Sequence, residues 1–195
     1  MTLVAGFALV ALGPTLQARL ASAIYAITSG LLFGISATYH RGTLGPRLAE
    51  ALRRFDHANI YLIIAGTYTP FALLALDGAA RVAVLAVIWG GALSGVLFRV
   101  FWMSAPRWLY TLLYLALGWT AIFVMPQLLE GAGVAAVVLV AIGGAFYTAG
   151  AIVYGLRRPD PAPGWFGYHE VFHAFTVAAY VVQYIAVSIV VYSHV

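Results

Sequence analysis

Long apolar runs, separated by short polar segments, cover almost the whole chain. The runs are continuously apolar and do not alternate with polar residues, so they predict helices and not the strands of a barrel. A helix needs about 20 apolar residues to cross the hydrocarbon core of a bilayer. Seven stretches reach or approach this length and are predicted as spans: residues 2–16, 20–39, 58–76, 82–100, 108–129, 132–156 and 169–192.

The composition assigns these helices to a membrane. Hydrophobic residues make up 64% of the 195 residues and charged residues 8%, and the mean hydropathy is +0.97. A soluble domain carries about 25% charged residues, so this chain lacks the polar surface that a soluble globule needs. We therefore predict an all-α, polytopic membrane protein, a seven-transmembrane helix bundle in a single domain over residues 1–195. The short first span is interpreted as truncated and not as a signal peptide, because it has no basic region.

The charged residues predict the orientation of the bundle. All ten basic side chains are arginines, and eight of them fall in one alternate set of connections: Arg41, Arg47, Arg53, Arg54, Arg99, Arg107, Arg157 and Arg158. Cytoplasmic loops carry the excess of positive charge, so this set is predicted to be cytoplasmic. The N-terminus is then cytoplasmic, and the C-terminus with His194 is external. Arginines spread singly or in pairs between apolar runs do not favour a nucleic-acid partner.

The last apolar run opens with the sequence GYHEVFH at residues 167–173. On a helix, His169 and His173 lie four residues apart on one face, as two ligands of one metal must. The chain has no cysteine, so a metal must be bound by His, Asp or Glu with water. The same residues match H-E-x-x-H, in which Glu170 would be the general base of a metalloprotease. No later His or Glu completes such a site. We therefore favour Glu170 as a hydrogen-bond partner of a metal ligand or as an acid in the first turn of the helix.

Three more polar positions share the predicted cytoplasmic end. His40 ends the second span, and Asp56 and His57 precede the third. Three histidines with water make an open four-coordinate zinc site, and zinc lowers the pKa of bound water to about 7. An interfacial side chain with its polar tip in water is the alternative for each histidine.

Two further residues are candidates for the chemistry beside such a metal. Asp56 is predicted to accept a proton or a hydrogen bond from the water, or to orient a ligand histidine. A helix N-cap, or an ion pair with Arg53 or Arg54, is the structural alternative. Ser36 lies one turn before His40, where its hydroxyl either orients the water or a ligand or bonds a carbonyl of its own helix.

These motifs resemble the hemolysin III family. The resemblance rests on Ser36-x-x-x-His40, on the segment FDHANIYLIIAGTYTP at residues 55–70, and on GYHEVFH. This family is the bacterial branch of the progestin and adipoQ receptor (adiponectin receptor-like) superfamily, which is related to alkaline ceramidases. The resemblance implies seven helices with the N-terminus inside, and zinc held by His40, His169 and His173 with Asp56 and Ser36 beside the bound water. The chain begins after the Glu-x-x-Asn segment that enters the first span in members.

The resemblance and the depth of the polar residues together suggest a zinc-dependent hydrolase of lipid amide or ester bonds, comparable to a ceramidase. We expect it to act at the cytoplasmic leaflet of a bacterial inner (plasma) membrane, with membrane lipids as partners and a lipid with an acyl chain as substrate. Two other functions are kept as alternatives: a pore-forming or cytolytic protein, and a receptor-like lipid-homeostasis protein with a structural zinc. The identity of the substrate, the oligomeric state and the role of His57 do not follow from the sequence.

Overall fold

The computed structural model describes residues 2–193, so the placement predicted for His194 concerns a residue outside this range. Within it the regular secondary structure is helical, which confirms the all-α fold. The helices are α1 (Thr2–Leu12), α2 (Leu16–Arg41), α3 (Pro46–Ala75), α4 (Gly78–Phe101), α5 (Arg107–Gly118), a 3-10 helix (Trp119–Val124), α6 (Met125–Leu156) and α7 (Tyr168–Ser193).

Five segments of the described chain are long and apolar enough to cross a membrane. They are Leu16–Arg41, Pro46–Ala75, Gly78–Phe101, Arg107–Leu156 and Tyr168–Ser193. The fourth segment has 50 residues, whereas about 20 suffice for one crossing. The first helix, α1, is apolar but has only 11 residues.

A short break divides the first predicted span. The helix α1 ends at Leu12 and α2 begins at Leu16, whereas the sequence predicted one span over residues 2–16. Pro14 lies in the break, where its missing N–H and its fixed φ oppose a continuous helix. Thr15 then caps α2, because its side-chain oxygen accepts a hydrogen bond from the backbone N–H of Ala18 at 3.1 Å.

The third helix begins at Pro46, well before the predicted start at residue 58. Proline is favoured in the first turn of a helix because no intrahelical partner is lost there. The Arg54 guanidinium donates to the Val100 carbonyl at 2.9 Å and so ties this polar part of α3 to α4. Asp56 therefore lies inside the helix. The alternative that Asp56 is the N-cap is wrong, since Gly45 occupies the cap position.

The segment from α5 to α6 departs from regular α-helix at two places, one between these helices and one inside α6. Residues 119–124 form the 3-10 helix, and Gly133 has φ of 77° and ψ of 166°. The positive φ is one that glycine adopts without a steric penalty. This second departure lies next to the predicted boundary between the fifth and sixth spans, at residues 129–132.

The described chain divides into two compact units, one of residues 2–105 with residues 190–193 and one of residues 106–189. In the first unit, α1 packs on α2, α2 on α3 and α3 on α4. Two polar side chains of α3 join these helices. Asn59 is 2% exposed and donates to the Leu31 carbonyl at 3.2 Å, and Thr69 accepts a bond from the Trp89 indole at 3.1 Å. Hydrogen bonds of this kind hold helices together inside lipid.

In the second unit, α6 packs against both α5 and α7. The Gln183 side chain of α7 lies across Gly143 of α6 and donates to the Val140 carbonyl at 3.3 Å. The Trp119 indole donates to the Thr148 hydroxyl at 3.0 Å, which joins the 3-10 helix to α6. Because Gly143 has no side chain, α6 and α7 can approach closely enough for the hydrogen bond of Gln183 to form.

Candidate functional site

Two imidazoles meet at the start of α7. His169 and His173 lie one turn apart, and their Nε2 atoms are 3.1 Å from each other. Both side chains are half-buried, and the rings are nearly perpendicular, with centroids 4.6 Å apart. Two nitrogens that bind a tetrahedral zinc at about 2.0–2.1 Å are about 3.3 Å apart. The spacing of this pair therefore fits two ligands of one zinc ion.

The connection before α7 fixes the direction in which the helix begins. The backbone N–H of Tyr168 donates to Asp160 at 2.9 Å, and that of Gly167 donates to the Glu170 carboxylate at 2.8 Å. A glutamate that reaches back to the residue before its helix is one half of a capping box. Glu170 is therefore a first-turn acid, which is one of the two roles favoured from the sequence.

A substitution pair at Glu170 separates these two roles. Glu170→Gln keeps a side-chain oxygen that accepts from Gly167, so we expect turnover and thermal midpoint close to those of the native protein. Glu170→Ala removes the acceptor and lowers the midpoint. Both quantities are measured in detergent, with the two variants side by side. If Glu170→Gln lowers turnover by about a hundredfold or more while the midpoint stays constant, Glu170 is a base after all.

A cavity of about 280 Å³ opens beside this turn. Its lining includes Asp160, Tyr168, His169 and Glu170. The cavity therefore makes one side of the His169 residue accessible to a small polar molecule.

In the first unit, the end of α2 lies beside α3. The Nε2 of His40 is 3.9 Å from a carboxylate oxygen of Asp56. The exposed fractions are 37% for the His40 side chain and 15% for that of Asp56. The ion pairs found within residues 2–193 join Asp56 to His40, Arg54 to Glu50 and Arg81 to Asp77. The predicted alternative of an Asp56 pair with Arg53 or Arg54 is therefore wrong.

His57 and Ser36 occupy neighbouring positions of the same unit. The His57 Nδ1 lies 2.8 Å from the Arg53 carbonyl, one turn earlier in α3. A carbonyl only accepts, so Nδ1 carries a hydrogen, and in the neutral ring Nε2 has the lone pair. Ser36 is half-buried on α2, one turn before His40.

The predicted site residues therefore form two groups. His169 and His173 are brought together in the second unit, and His40 and Asp56 in the first, which also contains Ser36. The convergence of both groups on one metal stays a prediction. Tyr154 was not predicted to be near the site, but its ring centroid lies 6.3 Å from that of His169. A tyrosine in the last turn of an apolar helix carries no pattern that would have identified it.

Comparisons with known proteins give one consistent result. A profile of the family described as Haemolysin-III related matches residues 1–184. The Hemolysin-3 homolog of Bacillus subtilis (strain 168) is 34% identical over 152 residues, which cover 76% of this chain and 67% of that protein. Hemolysin-3 of Bacillus cereus is 34% identical over 140 residues, which cover 72% of this chain and 64% of that protein. The chain thus spans about two thirds of the length of these relatives.

Proposed function

The chain belongs to the Haemolysin-III related family, and from this premise we propose that it is a zinc-dependent hydrolase that cleaves an amide or ester bond of a membrane lipid. It is an integral membrane protein, with helices of membrane-spanning length. The proposal includes seven crossings, with the N-terminus in the cytoplasm and the site at the cytoplasmic leaflet of a bacterial inner membrane. Two crossings within the 50-residue segment Arg107–Leu156 and one by α1 would make seven.

The observation that carries the proposal is the spacing of the histidine pair. Two imidazole nitrogens at 3.1 Å suit a tetrahedral ion that prefers nitrogen ligands, which zinc is. His40 is proposed as the third ligand, as in the motif that resembles the family. Three histidines leave a fourth position open, and this is the arrangement of catalytic zinc sites.

The remaining polar groups have roles that follow from their positions. When bound, zinc would supply Lewis-acid activation of the carbonyl and of the attacking water. The Asp56 carboxylate lies beside the His40 Nε2 and would hold the proton that this water releases. The Ser36 hydroxyl, one turn from His40, would orient the water or the carbonyl of the substrate. The apolar helices would take up the acyl chain of the lipid.

The proposal is tested with purified full-length protein in lipid nanodiscs. We expect about one zinc per chain by elemental analysis, and hydrolysis of a lipid amide that stops when a chelator removes the metal and returns when zinc is added. Native protein that contains no zinc after metal-replete expression would end the proposal.

A second function is suggested by the name Hemolysin-3 that the relatives carry, since a hemolysin is a protein that lyses cells. A membrane-lytic protein would release dye from liposomes. If leakage persists unchanged after all three proposed ligands are replaced by alanine, lysis does not depend on the metal site and the second function gains. If leakage is absent from the native protein, the hydrolase remains the better explanation.

A further inference from the structure

Arg107, the first residue of α5, holds a tyrosine in place within the second unit. Its guanidinium carbon lies 4.9 Å from the centroid of the Tyr154 ring, and its Nη1 donates to the Tyr154 carbonyl at 3.5 Å. The side chain of Arg107 also interacts electrostatically with that of Tyr168, the first residue of α7. A guanidinium over an aromatic face is an attractive contact that becomes stronger where water is excluded. The arginine thus joins the start of α5 to the end of α6 and the start of α7.

Tyr154 is fixed on its other sides by aromatic neighbours. Its hydroxyl is 3.4 Å from that of Tyr110, and its ring centroid is 5.0 Å from that of Phe172. Phe172 lies between the two histidines in sequence, and Tyr154 also borders the His169 ring directly, at 6.3 Å between centroids. A tyrosine with four such contacts has little freedom to change rotamer.

We propose that Arg107 and Tyr154 are positioning residues that orient the imidazole of His169 toward His173. A histidine in the first turn of a helix has several rotamers, and most of them turn Nε2 away from the residue one turn later. The Tyr154 ring, which neighbours the His169 ring, would oppose a rotation of that ring away from His173. The pair at 3.1 Å is then present before a metal arrives, and less conformational entropy is lost on binding.

This inference rests on the proposed function in that the ion expected at the pair is zinc. The alternative is a purely structural role, in which Arg107 would only bond the last carbonyls of α6 and interact with the dipole of that helix. A purely structural role predicts lower stability without a change in metal affinity at temperatures where the variant is folded. A positioning role predicts weaker metal binding by folded protein.

The experiment compares two variants at one position. Tyr154→Phe keeps the ring and loses only the hydroxyl, whereas Tyr154→Leu removes the ring. Removal of a residue that orients a metal ligand weakens metal binding by about 10–100-fold, and we expect this range for Tyr154→Leu. For Tyr154→Phe we expect zinc affinity to fall by less than about threefold. Affinity is measured on the full-length protein by competition with a chromophoric zinc chelator. Trp119→Phe is the matched control, since it also removes a hydrogen bond to α6, but at Thr148 and not at Tyr154.

A second readout does not need zinc. In metal-free protein with ¹⁵N-labelled histidine, the ring nitrogens of His169 and His173 should give the shifts of a shared hydrogen bond, and Tyr154→Leu should abolish them. If Tyr154→Leu does not fold, Arg107→Gln takes its place, with the same direction of change in both measurements. Native zinc affinity or an unchanged histidine spectrum in a folded variant overturns the positioning role. Absence of zinc from the native protein overturns the hydrolase proposal instead, and the histidine spectrum then decides the positioning role alone.

Discussion

Replacement of His169 by alanine is expected to lower the affinity for zinc by more than about a hundredfold and to stop lipid hydrolysis. The loss of zinc affinity should exceed the 10–100-fold expected when a hydrogen-bond partner of a ligand is removed. The reason is that this variant removes a nitrogen that would be bonded directly to the ion. The remaining pair of proposed ligands cannot close a tetrahedral site with a single open position. Zinc per chain is measured by elemental analysis, and its affinity is measured by chelator competition.

The matched control for this variant is a histidine of the predicted site that is not a proposed ligand. His57→Asn keeps an N–H in the position of Nδ1, which bonds the Arg53 carbonyl, and removes Nε2. We expect it to retain about one zinc per chain. Full zinc binding by His169→Ala would contradict the proposed ligand set. Loss of the helical circular dichroism signal in His169→Ala, together with loss of metal, would favour the alternative of a zinc that only braces the fold.

Replacement of Gly66 by alanine is expected to destabilise the first unit by about 1–3 kcal/mol. A Cβ at position 66 would overlap the Thr28 side chain of α2, so α2 and α3 would have to move apart. In an open position of a helix the same change is favourable by about 1 kcal/mol, because alanine is the better helix former. The sign of the effect therefore reports the interhelical contact. The thermal midpoint of unfolding in detergent measures it.

Gly34→Ala in α2 is the control, because a Cβ at that position would have no described atom within 4 Å other than its chain neighbours and the nearby backbone of its own helix. Its midpoint should equal or exceed that of the native protein. Adding Thr28→Ala to Gly66→Ala removes two of the three overlapping atoms, so the double variant should recover part of the lost stability. An unchanged or raised midpoint in Gly66→Ala alone would show that the two helices do not pack as described.

The proposed chemistry places two demands on the polar end of α3. Asp56 must remain close to the end of α2, and it must do so without a strong bond that would neutralise it. The 3.9 Å between the Asp56 carboxylate oxygen and the His40 Nε2 is longer than a hydrogen bond. The carboxylate can therefore still accept a hydrogen bond from another group, such as the proposed water. The bonds of Arg54 to Val100 and of Asn59 to Leu31, on either side of Asp56, hold this part of the helix in place.

The apolar pattern was enough to predict which parts of the chain are helical, because the propensity to cross lipid is a local property of about 20 residues. It was also enough to identify His169 and His173 as a pair, since a spacing of four residues fixes one face of a helix. The start of α3 could not be predicted in the same way. The arginines before Asp56 are typical of a loop when the sequence alone is considered. Only the contact of Arg54 with α4 shows why the helix continues through this segment.

The apolar pattern and the motifs were sufficient to predict an all-helical membrane fold, the family and the residue types able to bind zinc. Only the packed structure shows which side chains are neighbours: Asp56 and His40, Gly66 and Thr28, and Tyr154 and His169. The physical reason is that nearly every position of a membrane helix is apolar, so hydrophobicity does not tell which face turns toward a neighbouring helix. That choice depends on side-chain packing between segments far apart in the chain, and the rotamers of the site residues follow from it.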